Sequence, residues 1–135
     1  MKKLQIAVLG SSKAICTKKM YVYAEKAGEE LAKKDCVVLT GGGLGVMEAA
    51  LKGAKKYGGT TLAIVPWEDK QRVNDFADIV VATGIGWSRN SINLNSCDGA
   101  IVVGGGAGTL NEVTYAYMAG KPTVCVTPSG GMEIG

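Results

Sequence analysis

Six apolar runs punctuate the chain, near Leu4 to Leu9, Cys36 to Thr40, Thr61 to Val65, Ile79 to Ala82, Ala100 to Val103 and Thr123 to Thr127. They are short, rich in valine and isoleucine, and continuous rather than alternating, which is the pattern of parallel strands covered on both faces. Between them lie stretches of helical character, Thr17 to Lys34, Val46 to Tyr57, Ser88 to Ser96 and Thr109 to Ala119. Thr17 and Ser88 are placed to cap the first and third, and Gly58-Gly59 and Gly120 to stop the second and fourth. Strands alternating with helices predict a three-layer, doubly wound, Rossmann-like α/β fold with a parallel sheet of about six strands, in a single domain over residues 1–135. The chain stops soon after the sixth run, at Ser129 to Gly135, so a closing strand or helix is expected to be absent or the tail short.

In such a sheet ligands bind beyond the carboxyl ends of the strands, near the point where the strand order reverses. The loops rich in small residues all follow apolar runs: Gly10-Ser11-Ser12, Gly41 to Gly45, Thr83 to Trp87 and Gly104 to Thr109. They therefore converge on one edge of the sheet. Two share a grammar, Val38-Leu39-Thr40-Gly41-Gly42-Gly43-Leu44-Gly45-Val46 and Ile101-Val102-Val103-Gly104-Gly105-Gly106-Ala107-Gly108-Thr109. Each passes from a strand through glycines into a helix whose first amides are unpaired, an arrangement suited to phosphate. Its double occurrence points to a phosphorylated ligand, with Gly10, Ser11, Ser12, Gly41, Gly42, Gly43, Gly45, Gly105, Gly106, Gly108 and Thr109 as candidate contacts. Neither loop is a dinucleotide fingerprint, because Glu48 and Thr109 stand where the third glycine belongs, and there is no GxxxxGK[ST]. NAD use and ATP hydrolysis by the usual machinery are disfavoured.

Thr109 can add a hydroxyl donor at the helix start, and Glu112, one turn further on, can point back toward the loop. A carboxylate there also simply favours the helix dipole. Arg89, followed by Asn90, opens the preceding helix at the same mouth, where a guanidinium suits bidentate recognition of phosphate or carboxylate. Its bland alternative is a salt bridge to Glu112 or Asp98. Trp67 and Trp87 can stack on a planar base or merely pack.

Composition narrows the chemistry. The 135 residues contain no histidine, which removes histidine-based triads, histidine proton shuttles and most zinc sites, and no metal site is expected. Acid-base work falls to carboxylates, lysines, tyrosines or water. The four cysteines, Cys16, Cys36, Cys97 and Cys125, have no CxxC spacing and read as reduced, mostly buried thiols of a cytoplasmic protein. No run is long enough to span a membrane, and Met1-Lys2-Lys3 leads into too short an apolar stretch for a signal peptide. The net charge of +3 is spread over helix faces, at Lys18, Lys19, Lys26, Lys33, Lys34, Lys52, Lys55 and Lys56, which disfavours nucleic acid as a partner. The helical stretch Val113 to Met118 is apolar around much of its circumference, so a homodimer or higher assembly is expected.

The string from Arg89-Asn90 through Asp98-Gly99-Ala100 to Gly104-Gly105-Gly106-Ala107-Gly108-Thr109-Leu110-Asn111-Glu112, then Gly120-Lys121-Pro122, resembles the LOG-like superfamily, often labelled lysine decarboxylase. The first loop, Gly41 to Met47, matches as well, so the resemblance covers nearly the whole chain. Within the superfamily the chain looks most like the small branch that includes molybdenum cofactor carrier proteins. That resemblance implies a nucleotide-like or pterin-like ligand, with the molybdenum cofactor as the carried molecule. LOG enzymes cleave cytokinin riboside 5′-monophosphates to free base and ribose 5-phosphate with a PGGxGTxxE motif and an Arg-Lys pair, which maps catalytic roles onto Glu112 and Arg89. Here Gly104 replaces the motif's proline and Asn90 the pair's lysine, which favours a carrier over a hydrolase. Another Rossmann-like relative, DNA-processing protein A, suggests single-strand DNA binding as a weaker alternative. The decarboxylase label finds no support, since nothing resembles a pyridoxal phosphate site.

Overall fold

A computed structural model describes residues 2–126. The strands are β1 (Gln5–Gly10), β2 (Val37–Thr40), β3 (Thr61–Val65), β4 (Ile79–Ala82), β5 (Gly99–Val103) and β6 (Thr123–Val126); the helices are α1 (Lys18–Lys33), α2 (Val46–Lys56), α3 (Arg89–Ser96) and α4 (Ala107–Met118). All strands run parallel in one sheet ordered β4-β3-β2-β1-β5-β6. The order reverses at β1, so the crevice between the carboxyl ends of β1 and β5 is the switch point. Register sets Gly10 opposite Val103 and brings the two following loops side by side.

Strand β1 shows why the apolar runs are continuous. Val8 packs with Met20, Ala24, Val46, Ala49 and Ala50 of α1 and α2, whereas Ala7 and Leu9 pack with Leu94, Cys97, Val113 and Ala116 on the side of α3 and α4. Both faces are thus covered, and each fully buried Leu or Val contributes about 1.5–3 kcal/mol. The outer strands depart from this expectation. Ile79 and Val81 of β4 and Val124 of β6 are exposed, because the four helices cover the central strands. Helices α1 and α2 meet at glycines: a Cβ on Gly28 would lie 1.9 Å from the Ala50 carbonyl oxygen, and one on Gly53 equally close to that of Glu25.

Thr17 caps α1, its Oγ1 accepting from the Met20 amide at 3.1 Å. Gly58 and Gly120 stop α2 and α4 with φ of +68°, and the Lys121 amide closes the latter on the Ala116 carbonyl at 2.9 Å. Ser88 does not cap α3. It lies with αR backbone angles in a 3₁₀ turn over Gly86–Ser88, and its side chain bonds no helix amide. Helix α4 begins at Ala107, two residues before the expected Thr109, since Ala107-Gly108 already takes up the first turn. Of the cysteines only Cys97 is buried; Cys16, Cys36 and Cys125 are partly exposed, and Cys36 precedes β2. All four are free thiols. Thr127 and the tail from Ser129 to Gly135 lie outside the described residues. Among the described residues no helix is long and apolar enough to cross a membrane.

Candidate functional site

The switch point holds a cleft of about 310 Å³ lined by Gly10 and Ser12 of the β1 loop, Gly106, Gly108, Thr109 and Glu112 of the β5 loop and α4, and Arg89 and Asn90 of α3, with Ile15, Met47, Trp87 and Ala107. The loop after β5 is strapped to β1. The Gly105 amide donates to Ser11 Oγ at 2.8 Å, Thr109 Oγ1 donates to the Gly10 carbonyl at 3.0 Å, and the Ser11 amide donates to the Val103 carbonyl at 3.2 Å. The hydroxyl expected to serve an anion at Thr109 is therefore engaged, as is the Gly105 amide. The following amides remain: Leu110 donates to Gly106, so Gly106, Ala107, Gly108 and Thr109 carry the free N–H groups of the helix start.

Gly104 has φ of +70°, and a Cβ there would lie 2.3 Å from Ser11 Oγ. Proline, locked near φ −65°, cannot take that conformation, which explains why glycine stands at this motif position.

Arg89 reaches across the mouth. Its guanidinium donates to Asn90 Oδ1 and, at 3.5 Å, to the Gly41 carbonyl through Nη2. It joins none of the ion pairs among the described residues, so the salt bridges to Glu112 and Asp98 do not form. Its Nε is buried without a hydrogen-bond partner, a donor that costs about 1–3 kcal/mol to leave unmet. Burial pulls the guanidinium below its ordinary pKa, and the nearby Glu112 pushes it back up. Glu112 is shifted the other way. Burial pushes its carboxyl up to about 7, against the opposing pull of Arg89 and of Asn93, whose Nδ2 donates to Oε2 at 3.5 Å.

Asn90 is enclosed. Its Oδ1 accepts from Arg89 and its Nδ2 donates to Asn111 Oδ1 at 2.9 Å, so it ties α3 to α4 and holds Arg89 in place. Trp87 stands 81% exposed on the wall shared with a neighbouring cleft of about 370 Å³ lined also by Ser88, Asn111 and Tyr115. Trp67 is elsewhere, its ring under the Arg72 guanidinium with 4.7 Å to the centroid.

The first glycine loop does not enter the cleft. The Gly42 amide donates to Thr40 Oγ1 at 3.1 Å, the Gly43 carbonyl accepts from Asn74 Nδ2 at 2.9 Å, and the Val46 amide, first of α2, donates to the Ser11 carbonyl at 3.0 Å. Gly45 abuts the β1 loop so closely that a Cβ would sit 2.6 Å from the Ser11 carbonyl oxygen. The structure thus brings Gly10, Ser12, Arg89, Asn90, Gly106, Gly108, Thr109 and Glu112 together and sets Gly41, Gly42, Gly43 and Gly45 behind them as bracing. Ile15, Met47 and Asn93 were not legible as site residues. For Asn93 a signal existed: it follows Arg89 by four positions, and so shares its helix face.

Residues 3–134 match the SLOG cluster4 family. The molybdenum cofactor binding protein of the phototrophic bacterium Rippkaea orientalis superposes with a TM-score of 0.89 at 40% identity, over 93% of this chain and 77% of that one. The molybdenum cofactor carrier protein of Chlamydomonas reinhardtii gives 0.84 at 40% identity, over 92% and 76%. The cytokinin riboside 5′-monophosphate phosphoribohydrolase of Mycobacterium tuberculosis is 31% identical over 119 residues, which span 82% of this chain and 64% of that protein.

Proposed function

Because the chain belongs to the SLOG cluster4 family, we propose that it binds a phosphorylated small molecule with a nucleotide-like or pterin-like ring, and serves in the cytoplasm as a carrier of the molybdenum cofactor class. One observation carries the reading. At the β1–β5 switch point the free amides at the start of α4 face the same cleft as Arg89, whose buried Nε has no partner. A phosphate monoester supplies acceptors to the amides and to the guanidinium where it lines the cleft. The likeness to carrier proteins at 40% identity supports the pterin-like choice of ring. Ser12 and Trp87 stand at the mouth to meet the rest of the ligand.

A second reading, cleavage of a nucleoside 5′-monophosphate to free base and ribose 5-phosphate, is favoured by Glu112. A carboxyl poised at about 7 is suited to general acid-base work, and Arg89 beside it can orient substrate. Against it stands Asn90, whose enclosed neutral amide occupies the position of the lysine in the hydrolases' Arg-Lys pair. The exposed Tyr117 and Met118 of α4, at 79% and 78%, suit burial against a second copy, so the carrier is proposed to work as a homo-oligomer.

Mass spectrometry of small molecules released from the purified protein tests the first reading, which expects a phosphorylated pterin. Incubation with AMP or a cytokinin monophosphate tests the second. Free base whose release is lost in both Glu112→Gln and Arg89→Gln would replace the carrier by the enzyme.

A further inference from the structure

Behind the cleft, the side chain of Asn93 is fully buried and its Oδ1 has no hydrogen-bond partner. Asn93 does not line the cleft, so a ligand there does not reach it. What it touches is Glu112, through Nδ2 and Oε2 at 3.5 Å, a long contact for a charged acceptor. An amide that finds no donor for its oxygen and only a distant acceptor for its nitrogen is poorly matched to a carboxylate. It is well matched to a carboxylic acid, because a protonated carboxyl presents one O–H donor and one acceptor oxygen.

The surroundings lean the same way. Arg89 of α3 is the charged group facing Glu112. The β1 loop and the residues after it present Gly10, Ser12 and Ile15, α2 presents Met47, and α4 itself turns no second titratable group into the cleft. An anion seated on the α4 amides would draw Arg89 to itself and set a like charge near Glu112. Both changes disfavour the carboxylate.

We propose that Asn93 is a positioning residue whose Oδ1 accepts a hydrogen bond from the protonated carboxyl of Glu112 in the anion-loaded site, so that binding of a dianion takes up a proton from solvent onto Glu112. The inference rests on the reading that an anion occupies this loop. Its consequence is a ligand held more tightly on the acid side of neutrality and released on the alkaline side. The raised carboxyl, at about 7, places the window near neutral pH.

The test uses the intact protein with inorganic sulfate, whose own charge is constant across the range, and follows the Glu112 side-chain carboxyl by ¹³C NMR while affinity is measured by calorimetry. Sulfate should raise the Glu112 titration midpoint by about one pH unit or more, and affinity should fall roughly tenfold between about pH 6 and about pH 9. Glu112→Gln, neutral at every pH, should bind sulfate with little pH dependence. Asn93→Ala, which removes the Nδ2 donor along with the Oδ1 acceptor, should raise the sulfate-free midpoint slightly and shrink the sulfate-induced rise while the protein still binds. Sulfate binding with an unmoved Glu112 midpoint overturns the coupling alone. The same midpoints in wild type and Asn93→Ala overturn the part given to Asn93. Absence of any sulfate binding overturns the anion reading and the coupling together.

Discussion

The two glycine loops begin alike and end differently. After β2, the Gly42 amide, the Gly43 carbonyl and the Val46 amide are met by Thr40, Asn74 and Ser11, and the glycines let α2 seat its first turn against the β1 loop. After β5, the Gly105 amide is engaged by Ser11, and the amides from Gly106 to Thr109 belong to a cleft that Arg89 also lines. Glycines between a strand and a helix therefore specify a backbone path. Whether the path binds anything depends on which donors the rest of the protein leaves unspent.

That contrast predicts opposite phenotypes for the same kind of substitution. The largest effect belongs to Gly45→Val, where a branched side chain meets both a φ of +79° and the Ser11 carbonyl oxygen at 2.6 Å. A loss of about 4 kcal/mol or more is expected in urea denaturation. Gly106→Val should leave the fold within about 1 kcal/mol of wild type, since its φ of −149° is extended and its Cβ meets only the tip of Ile15 at 3.0 Å. Its cost should appear in binding instead, as a fall of about a hundredfold in affinity for AMP by calorimetry, or about 2.7 kcal/mol. Equal stability losses in the two variants would erase the distinction between the loops.

A smaller effect concerns pH. The folded pKa of Glu112, about 7, lies above its ordinary value of 4.5, so the folded state holds the proton more tightly than the unfolded chain. Its contribution is fully present below about pH 4.5 and declines as pH rises through about 7, by roughly 1–3 kcal/mol. Glu112→Gln should flatten that part of the stability profile. A wild-type profile with no decline in this window would mean that the carboxyl is ionised as in water.

Much of this was legible in the residues because apolar continuity and glycine punctuation are local. Runs such as Thr61–Val65 match their strands residue for residue. The convergence of Arg89 and Glu112 followed from their places at the mouth of one sheet edge. What stayed hidden was non-local. That Asn74, 31 residues from Gly43, would occupy the first loop, and that Ser11 would serve both loops, depends on contacts no spacing announces. The start of α4 was misplaced because Ala107-Gly108 within a glycine run reads as loop, and Ser88 looked like a cap because its 3₁₀ turn leaves no mark in the sequence. Asn93 escaped because an asparagine on a short helix reads as polar surface until its burial is known.

The division of labour between the loops is tested most directly by following backbone amides in ¹H–¹⁵N spectra as AMP is added. The amides of Gly106, Ala107, Gly108 and Thr109 should move together with the Arg89 Nε–H signal, while those of Gly42, Gly43 and Val46 stay in place. Movement centred on Gly42, Gly43 and Val46, with the start of α4 unmoved, would contradict the assignment of the anion to the second loop.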